Sequence, residues 1–342
     1  MAATVAGTDL DSLLARHRAF WERTPVERPL LDVVRARPQP EIKYTQLTPE
    51  MLVPGAYVDA TLLARRSASL VQGDFFRAVG PYSRVPWMEA IVGCPIRVEE
   101  SGDAGMWPRP RPFEWSQVSS VRPAPDNPWL AKLLEYTREL VAAWDGTYLV
   151  CPTLMRGPVD MASAILGDIR MGLAFHDYPS ELSALLAACA DTIVQVAHAQ
   201  ADLIPPYHGG YCSLYGIWAP GRTHRVQTDS SSQLSPRTYR EHILPHDRRV
   251  MGAFHYASMD LHSGGTFHLA EELLDVPSLK AISISIDPYE SAPRISQLVP
   301  GFARILERKS LILNGPMKEA ELRLLLDSLP PTGLAIRARI EE

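Results

Sequence analysis

From Pro128 onward, apolar runs of five to seven residues alternate with stretches in which apolar positions recur every three or four residues. Short β-branched runs bounded by turn residues predict strands, and a 3.6-residue period predicts helices. The pattern predicts strands over Thr147–Pro152, Arg225–Asp229, Phe254–Asp260, Leu279–Ile286, Ser310–Leu313 and Leu334–Arg337. Between them it predicts helices over Leu130–Trp144, Val159–Leu166, Ser180–Leu203, Pro236–Met251, Thr266–Leu274, Ala292–Glu307 and Lys318–Ser328. Ser235 before Pro236 supplies a capping hydroxyl and then a φ-restricted residue for the first turn; Ser180 opens the longest amphipathic run. Strand and helix in alternation are the mark of β-α units around a parallel sheet.

Each predicted strand runs into a polar residue before its loop, which predicts an α/β fold of the (β/α)8 TIM-barrel kind, its missing strands drawn from the N-terminal third. An open, doubly wound sheet is the alternative. Neither G-x-G-x-x-G nor G-x-x-x-x-G-K-[ST] occurs, so that alternative lacks a dinucleotide or P-loop signal. Up to about Leu130 the pattern is irregular: a short amphipathic helix near Leu10–Arg23, Pro-bounded extended pieces, and a helix over Pro49–Val53 or Thr61–Leu70. Trp107 to Trp129 holds Pro108, Pro110, Pro112, Pro123, Pro125 and Pro128. Each proline restricts φ and removes a donor, which excludes helix or central strand and predicts a long ordered loop or lid. The chain reads as one domain over residues 1–342, with an irregular N-terminal extension and first barrel elements over 1–130 and regular units over 131–342.

Composition narrows the function classes. With 342 residues, 46% hydrophobic and 21% charged, the chain can bury a large core. Its 30 prolines come with no glycine period and no low-complexity tract, so collagen-like and disordered readings fail. Lys plus Arg at 34 against Asp plus Glu at 39 gives −5, which offers no field to draw phosphate backbones or anionic lipid. No nucleic-acid or membrane partner is expected. Charge-free apolar stretches such as Ala184–Ala190 fall well short of the roughly 20 residues that span a bilayer. Asp9 and Asp11 stand where a secretory leader would want basic residues, and a cytoplasmic location is expected. Cys94, Cys151, Cys189 and Cys212 lie far apart with no C-x-x-C pair, as small buried hydrophobes do.

In a β/α barrel the loops converge at the C-terminal strand ends, so chemistry is sought there. Those positions carry Arg156, Asp229, Asp260, His262, Asp287 and Asn314. Acids and an imidazole gathered from several strands suit a polar ligand, although any one acid there also serves as a helix cap. Tyr207, Tyr211, Tyr215 and Trp218, with Gly209, Gly210 and Gly216 between them, read either as a pocket wall for a flat ligand or as aromatics packing a loop. Trp87, Trp107, Trp115 and Trp129 read as anchors of the Pro-rich loop. His208 and Cys212, four apart, could join His262 in a divergent zinc site. His242 and His246 fall on an exposed helix face, and His176-Asp177 reads as a loop pair.

Several segments, in order, resemble the uroporphyrinogen decarboxylase superfamily. Gly157-Pro158-Val159-Asp160-Met161-Ala162-Ser163-Ala164-Ile165-Leu166-Gly167 is similar to its Gly-x-Pro-x-x-x-Ala-Ser-x-x-x-x-Gly stretch. Thr228-Asp229-Ser230-Ser231-Ser232-Gln233-Leu234-Ser235-Pro236, continuing through Tyr239, Pro245 and Arg249, resembles its Asp-Ser … Leu-Ser-Pro block. Leu261-His262-Ser263-Gly264-Gly265, Ile284-Ser285-Ile286-Asp287-Pro288 and Leu313-Asn314-Gly315-Pro316-Met317 follow at the family's spacing. The resemblance spans roughly residues 130–340 and implies a β/α barrel.

It also implies one of two chemistries: cofactor-free decarboxylation of a tetrapyrrole's acetate side chains, or zinc-dependent methyl transfer to or from a corrinoid or thiol. The decarboxylases' Arg-Gln-Ala-Gly-Arg-Tyr signature is absent, and in Tyr82-Ser83-Arg84-Val85 an arginine, Arg84, stands in the place of the key aspartate. The methyltransferases' His-x-Cys would need a cysteine at Gly264, and their C-terminal cysteine is missing from Thr332–Glu342. The expectation is therefore a lyase or methyltransferase working on a small or tetrapyrrole-like substrate, with no cofactor, or with zinc in the rearranged alternative. Asp229 would hold the substrate, and His262 would be general acid/base tuned by Asp260 or Asp287. Arg84 and Arg156 would grip a carboxylate, and Tyr207, His208, Tyr211, Tyr215 and Asp260 would line the pocket. A corrinoid protein as partner and a homodimer are family-level implications; a non-catalytic tetrapyrrole- or corrinoid-binding protein is the reading from another class.

Overall fold

The computed structural model describes residues 9–35, 46–53, 55, 69–82, 84–99 and 105–340. The expected helix over Thr61–Leu70 falls almost entirely outside them. In chain order the parallel strands are β1 (Leu30–Arg35), β2 (Ala78–Val79), β3 (Leu149–Val150), β4 (Thr223–Gln227), β5 (Tyr256–His262), β6 (Leu279–Ser285), β7 (Ser310–Met317) and β8 (Leu334–Ile340). The helices used below are α1 (Leu10–Glu22), α2 (Trp87–Ile91), α3 (Pro128–Ala142), α4 (Pro158–Leu166), α5 (Asp168–Asp177) and α6 (Pro179–Ala201).

Six strands form one parallel sheet in the order β1-β8-β7-β6-β5-β4, and β2 and β3 form a separate parallel pair. The expected arrangement of β-α units around a parallel sheet is present. The closed eight-stranded ladder is not: among the described residues no backbone pairing joins β2 to β1 or β3 to β4. Packing bridges both gaps. The Asp74 N–H donates to the Leu31 carbonyl at 3.0 Å. Gly157 lies so close to β4 that a Cβ there would sit 2.0 Å from the Gln227 carbonyl oxygen, an approach only glycine permits.

Side chains alternate across a strand, and here the two faces differ in kind. Ala257, Met259 and Leu261 of β5, Ile282 and Ile284 of β6, Leu311 and Leu313 of β7, and Leu334, Ile336 and Ala338 of β8 join the main apolar core beneath the helices. The other face starts apolar at its N-terminal end, where Leu30, Ala281, Ile312 and Ala335 meet Phe20 and Trp21 of α1 and Phe75. Toward the C-terminal end it turns polar. Asp32, Gln227, Asp260 and Ser283 on that face are buried, with the Arg225 side chain 9% exposed.

Element boundaries shift where the ladder decides them. β4 ends at Gln227, so Asp229 opens a 3-10 turn, and β5 runs on to His262. Gly105–Pro108, which leads into the Pro-rich segment, pairs with Ile96–Glu99 as the edge of a small antiparallel sheet, a place where proline is tolerated. His176 and Asp177 are not a loop pair but the last residues of α5, a helix whose glycine and few buried residues hid its period. The Pro236–Met251 helix is interrupted by a π turn over Tyr239–Ile243. Helix α6 has 23 residues and is long and apolar enough to cross a membrane by length and composition, contrary to the expectation from charge-free runs. Here its Leu182, Leu185, Leu186 and Ile193 lie in the main core.

Two imidazoles are buried as neutral groups. His17 of α1 donates from Nε2 to the Asp74 carbonyl at 2.6 Å and accepts the Trp218 N–H at Nδ1 at 2.8 Å, so one neutral tautomer satisfies both partners. Burial pushes it down to about 4. His224 of β4 stacks on Phe254 with centroids 4.4 Å apart, and burial pushes it down to about 3. In the unfolded chain an imidazole takes its proton near pH 6.5. From there down to about pH 3 only the unfolded state gains that proton, and stability falls. His224→Phe, which keeps the stack, should gain stability relative to the parent as pH drops through this interval, whatever its offset at pH 7. The difference in urea midpoint between the two proteins checks it; a difference independent of pH would show that the folded imidazole titrates normally.

Candidate active site

The polar face is written into three neighbouring strands at alternate positions: Arg225 and Gln227 running on to Asp229, Ser258, Asp260 and His262, then Ser283 and Ser285 running on to Asp287. Parallel register sets Gln227 beside Asp260 and Asp260 beside Ser283, with His262 beside Ser285 and Ser285 beside Asn314. At the centre Asp260, wholly buried, is ion-paired with Arg225 and accepts from the Tyr215 hydroxyl. Ser283 Oγ donates to Asp260 Oδ1 at 2.7 Å and Ser285 Oγ to Oδ2 at 3.2 Å. Arg225 also donates to the Tyr215 hydroxyl at 2.7 Å and to Gln227 Oε1 at 2.8 Å. The Gln227 amide in turn donates to Asp229 Oδ2.

Above this network sit His262, Asp287 and Asp229. His262 Nδ1 is 2.6 Å from Asp287 Oδ1, and its Nε2 is 3.7 Å from Asp229 Oδ1. Asp287 Oδ2 accepts the Gly264 N–H at 2.8 Å, while Ser263 Oγ accepts the Asp287 N–H at 2.9 Å, so the loops after β5 and β6 hold each other. The His262 N–H is taken by Thr266 Oγ1 at 2.9 Å. Burial works to lower the His262 imidazole, but the Asp229 charge and the hydrogen bond to Asp287 outweigh it and the group is raised. Burial, reinforced by neighbouring Asp160, raises Asp229 to about 6 against the opposing pull of His262, Arg156 and Arg225. Both groups are raised, and side by side they can hold or pass one proton. Asp229 Oδ1 is buried and, among the described residues, has no hydrogen-bond donor.

Two clefts meet at Asp229 and Ser232. The larger, about 740 Å3, has the Pro-rich segment as one wall, through Trp107, Pro108, Arg109 and Pro110, with Arg156 and Asp160 opposite. The smaller, about 380 Å3, is bounded by His262, Asp287, Gly264 and Tyr289. Volumes of this order suit a small-molecule site.

Of the residues expected at the site, Asp229, His262 and Asp287 come together at the junction, Asp260 and Tyr215 lie directly beneath them, and Arg156 lines the larger cleft. Arg156 also has partners within the protein: Glu89 of α2 lies 3.3 Å away and Asp160 3.8 Å away. Arg84, in the turn before α2, lines neither cleft. Tyr207 and Tyr211 instead line a separate apolar cavity of about 170 Å3 with Trp144, Leu149 and Cys212. His208 packs edge-on against Tyr207, their centroids 4.6 Å apart.

Cys212 sits at the start of β4, its carbonyl accepting from Thr223 Oγ1 at 3.3 Å, whereas His262 closes β5. Thr223 pairs with Tyr256, six residues before His262, so roughly 20 Å of strand separates the two ends. The zinc set His208, Cys212 and His262 therefore does not assemble. A thiolate at Gly264 would not fit easily either, since a Cβ there would come 3.2 Å from the Ala292 Cβ and 3.3 Å from Asp287 Oδ2. All four cysteines are buried, and among the described residues no group of three or more His, Cys, Asp or Glu side chains is arranged to hold a metal ion. The donor set does not fit the zinc site that the resemblance implied.

Reading the strands only at their ends missed Glu89, Asp160, Gln227 and Arg225. The period-two polar pattern in β4, β5 and β6 was the available signal for the last two; nothing local in the chain marks Glu89.

No protein-family model matches the chain, and no curated protein matches it. Among solved structures it is similar to a methyltransferase from Methanosarcina mazei, at 14% identity over 96% of this chain and 93% of that one, with a TM-score of 0.62. At that identity the likeness establishes a shared α/β fold along nearly the whole length.

Because Asp287 contributes to raising His262, Asp287→Asn should lower the pH midpoint of the His262 ring protons followed by NMR. An unchanged midpoint in a folded variant would show that Asp287 does not govern the imidazole's proton.

Proposed function

We propose that the chain is a methyltransferase-like enzyme whose two clefts hold methyl donor and acceptor on either side of Asp229, with His262 taking up the acceptor's proton. Transfer forms the acceptor–CH3 bond and breaks the donor–CH3 bond, and an acceptor that enters as A–H must lose its proton. His262 is well placed to receive it, because Asp287 secures Nδ1 and leaves Nε2 at the junction beside a carboxylate. Asp229, whose side chain is 32% exposed, would orient the acceptor through its carboxylate, and the Arg225–Asp260 network keeps Asp229 in place through Gln227. The single observation carrying the reading is the His262–Asp287 pair at 2.6 Å opening onto the meeting point of the clefts. The methyltransferase fold favours methyl transfer over other proton-coupled chemistry, and the reading takes the architecture as an eight-stranded barrel whose ladder is interrupted on both sides of β2 and β3.

Decarboxylation, with His262 as acid to the carbanion left by CO2, is the second reading. Arg109 and Arg156 on the larger cleft favour it, but Glu89 and Asp160 already balance Arg156. A donor such as methylcobalamin, supplied with a small thiol, provides the direct test by mass spectrometry of the methylated product. His262→Gln should lower the rate by about 10²–10⁴-fold, the range for losing a positioned general base. Turnover that His262→Gln leaves intact would remove the imidazole from the reaction; tight binding of the donor with no product would favour a binding protein.

A further inference from the structure

Glu89 is wholly buried, and among the described residues neither of its carboxylate oxygens has a hydrogen-bond donor; its counter-ion is Arg156 at 3.3 Å. A buried carboxylate held by one ion pair and no hydrogen bonds is a poor way to stabilise a core, since an apolar residue of similar size serves as well or better. Asp160 is also buried, in the first turn of α4. Its Oδ2 accepts the Gly157 N–H at 3.2 Å and its Oδ1 the Ser230 N–H at 2.7 Å, with Arg156 Nη2 3.8 Å away. One carboxylate thus ties the loop that carries Arg156 to the turn that carries Asp229, and two carboxylates flank one guanidinium.

Arg156 shares the larger cleft with Asp229, and the charge of each is felt by the other. Asp229 faces Arg156 and Asp160 on that wall, Arg225 and Gln227 from its own strand, and His262 from β5. An arginine without other partners would be drawn to Asp229, whose Oδ1 has no hydrogen-bond donor among the described residues. A carboxylate clamped by a guanidinium keeps its charge and gives up the lone pairs a substrate or a proton would use.

We propose that Glu89 and Asp160 are positioning residues that hold Arg156 away from Asp229, reserving the Asp229 carboxylate for substrate and for the proton it exchanges with His262. Asp160 also pins the Asp229 turn. The inference deepens the proposed function only in taking Asp229 as the working carboxylate, and its test reads that carboxyl directly, so a failure of every methyl-transfer assay would leave the result standing.

The full chain, labelled with 13C at the aspartate carboxyl and assigned by the signal lost in Asp229→Asn, reports the Asp229 midpoint. Glu89→Gln, which leaves both Asp160 hydrogen bonds untouched, should lower that midpoint by about one pH unit or more as Arg156 turns to Asp229. Asp160→Asn should lower it as well. Arg156→Gln should raise the midpoint by more in the Glu89→Gln chain than in the parent, a non-additivity that neither loss of packing nor removal of the two charges through space would give. A midpoint within about 0.3 unit of the parent in Glu89→Gln, in a chain that retains its thermal transition, overturns the proposal, as does an effect of Arg156→Gln that is the same in the Glu89→Gln chain and in the parent. If Glu89→Gln does not fold, Asp160→Asn is read by the same criteria.

Discussion

The Arg225–Asp260 ion pair sits where a parallel sheet is ordinarily apolar, and the arrangement above it depends on that pair being satisfied. Parallel sheets are usually covered on both faces and built from continuous apolar strands. Here one face carries a guanidinium and a carboxylate out of water, a situation that repays its desolvation only with close geometry and full hydrogen bonding. Tyr215, Ser283, Ser285 and Gln227 supply those bonds. Removing one partner from such a pair typically costs about 3–5 kcal/mol, whereas the intact pair is worth little against an apolar replacement. Its return is therefore in placement: Arg225 orients Gln227, Gln227 holds Asp229, and Asp229 faces His262.

The two ends of the polar face divide the work. At the N-terminal end α1 closes the face with Phe20 and Trp21, held in place by the His17 ring between the Asp74 carbonyl and the Trp218 N–H. At the C-terminal end no such plug exists among the described residues, and the clefts open there. Carboxylates outnumber cations around the junction: Glu89, Asp160, Asp229, Asp260 and Asp287 face Arg156, Arg225 and His262. Burial and then Asp160 raise Asp229, whereas for His262 the surrounding carboxylates raise the imidazole against the opposing effect of burial.

The loops supply shape more than charge. The Pro-rich segment forms a stiff wall, tied down by Arg170 donating to the Phe113 carbonyl at 2.6 Å and Thr192 to the Val121 carbonyl at 2.8 Å. Gly157 lets the loop after β3 lie against β4, which brings Arg156 and Asp160 to the same cleft as Asp229.

Much of this was legible in the chain itself. Hydrophobic period located most strands and helices from Pro128 on, because local alternation and the 3.6-residue repeat are properties of neighbouring residues. Polar residues at the strand ends pointed to Asp229, His262 and Asp287, since neighbouring parallel strands bring the residues that follow them to one edge of the sheet. What pattern could not carry was anything set by contacts distant in sequence. Tyr207, His208, Tyr211 and Cys212 fall at the far end of β4 from His262, and Arg156 is balanced by a glutamate 67 positions earlier in the chain. Among the described residues the ladder likewise stays open on both sides of β2 and β3. Alternation tells which way a side chain faces along its own strand; which partner it meets there is decided by register and packing between elements, and that information exists only once the chain has folded.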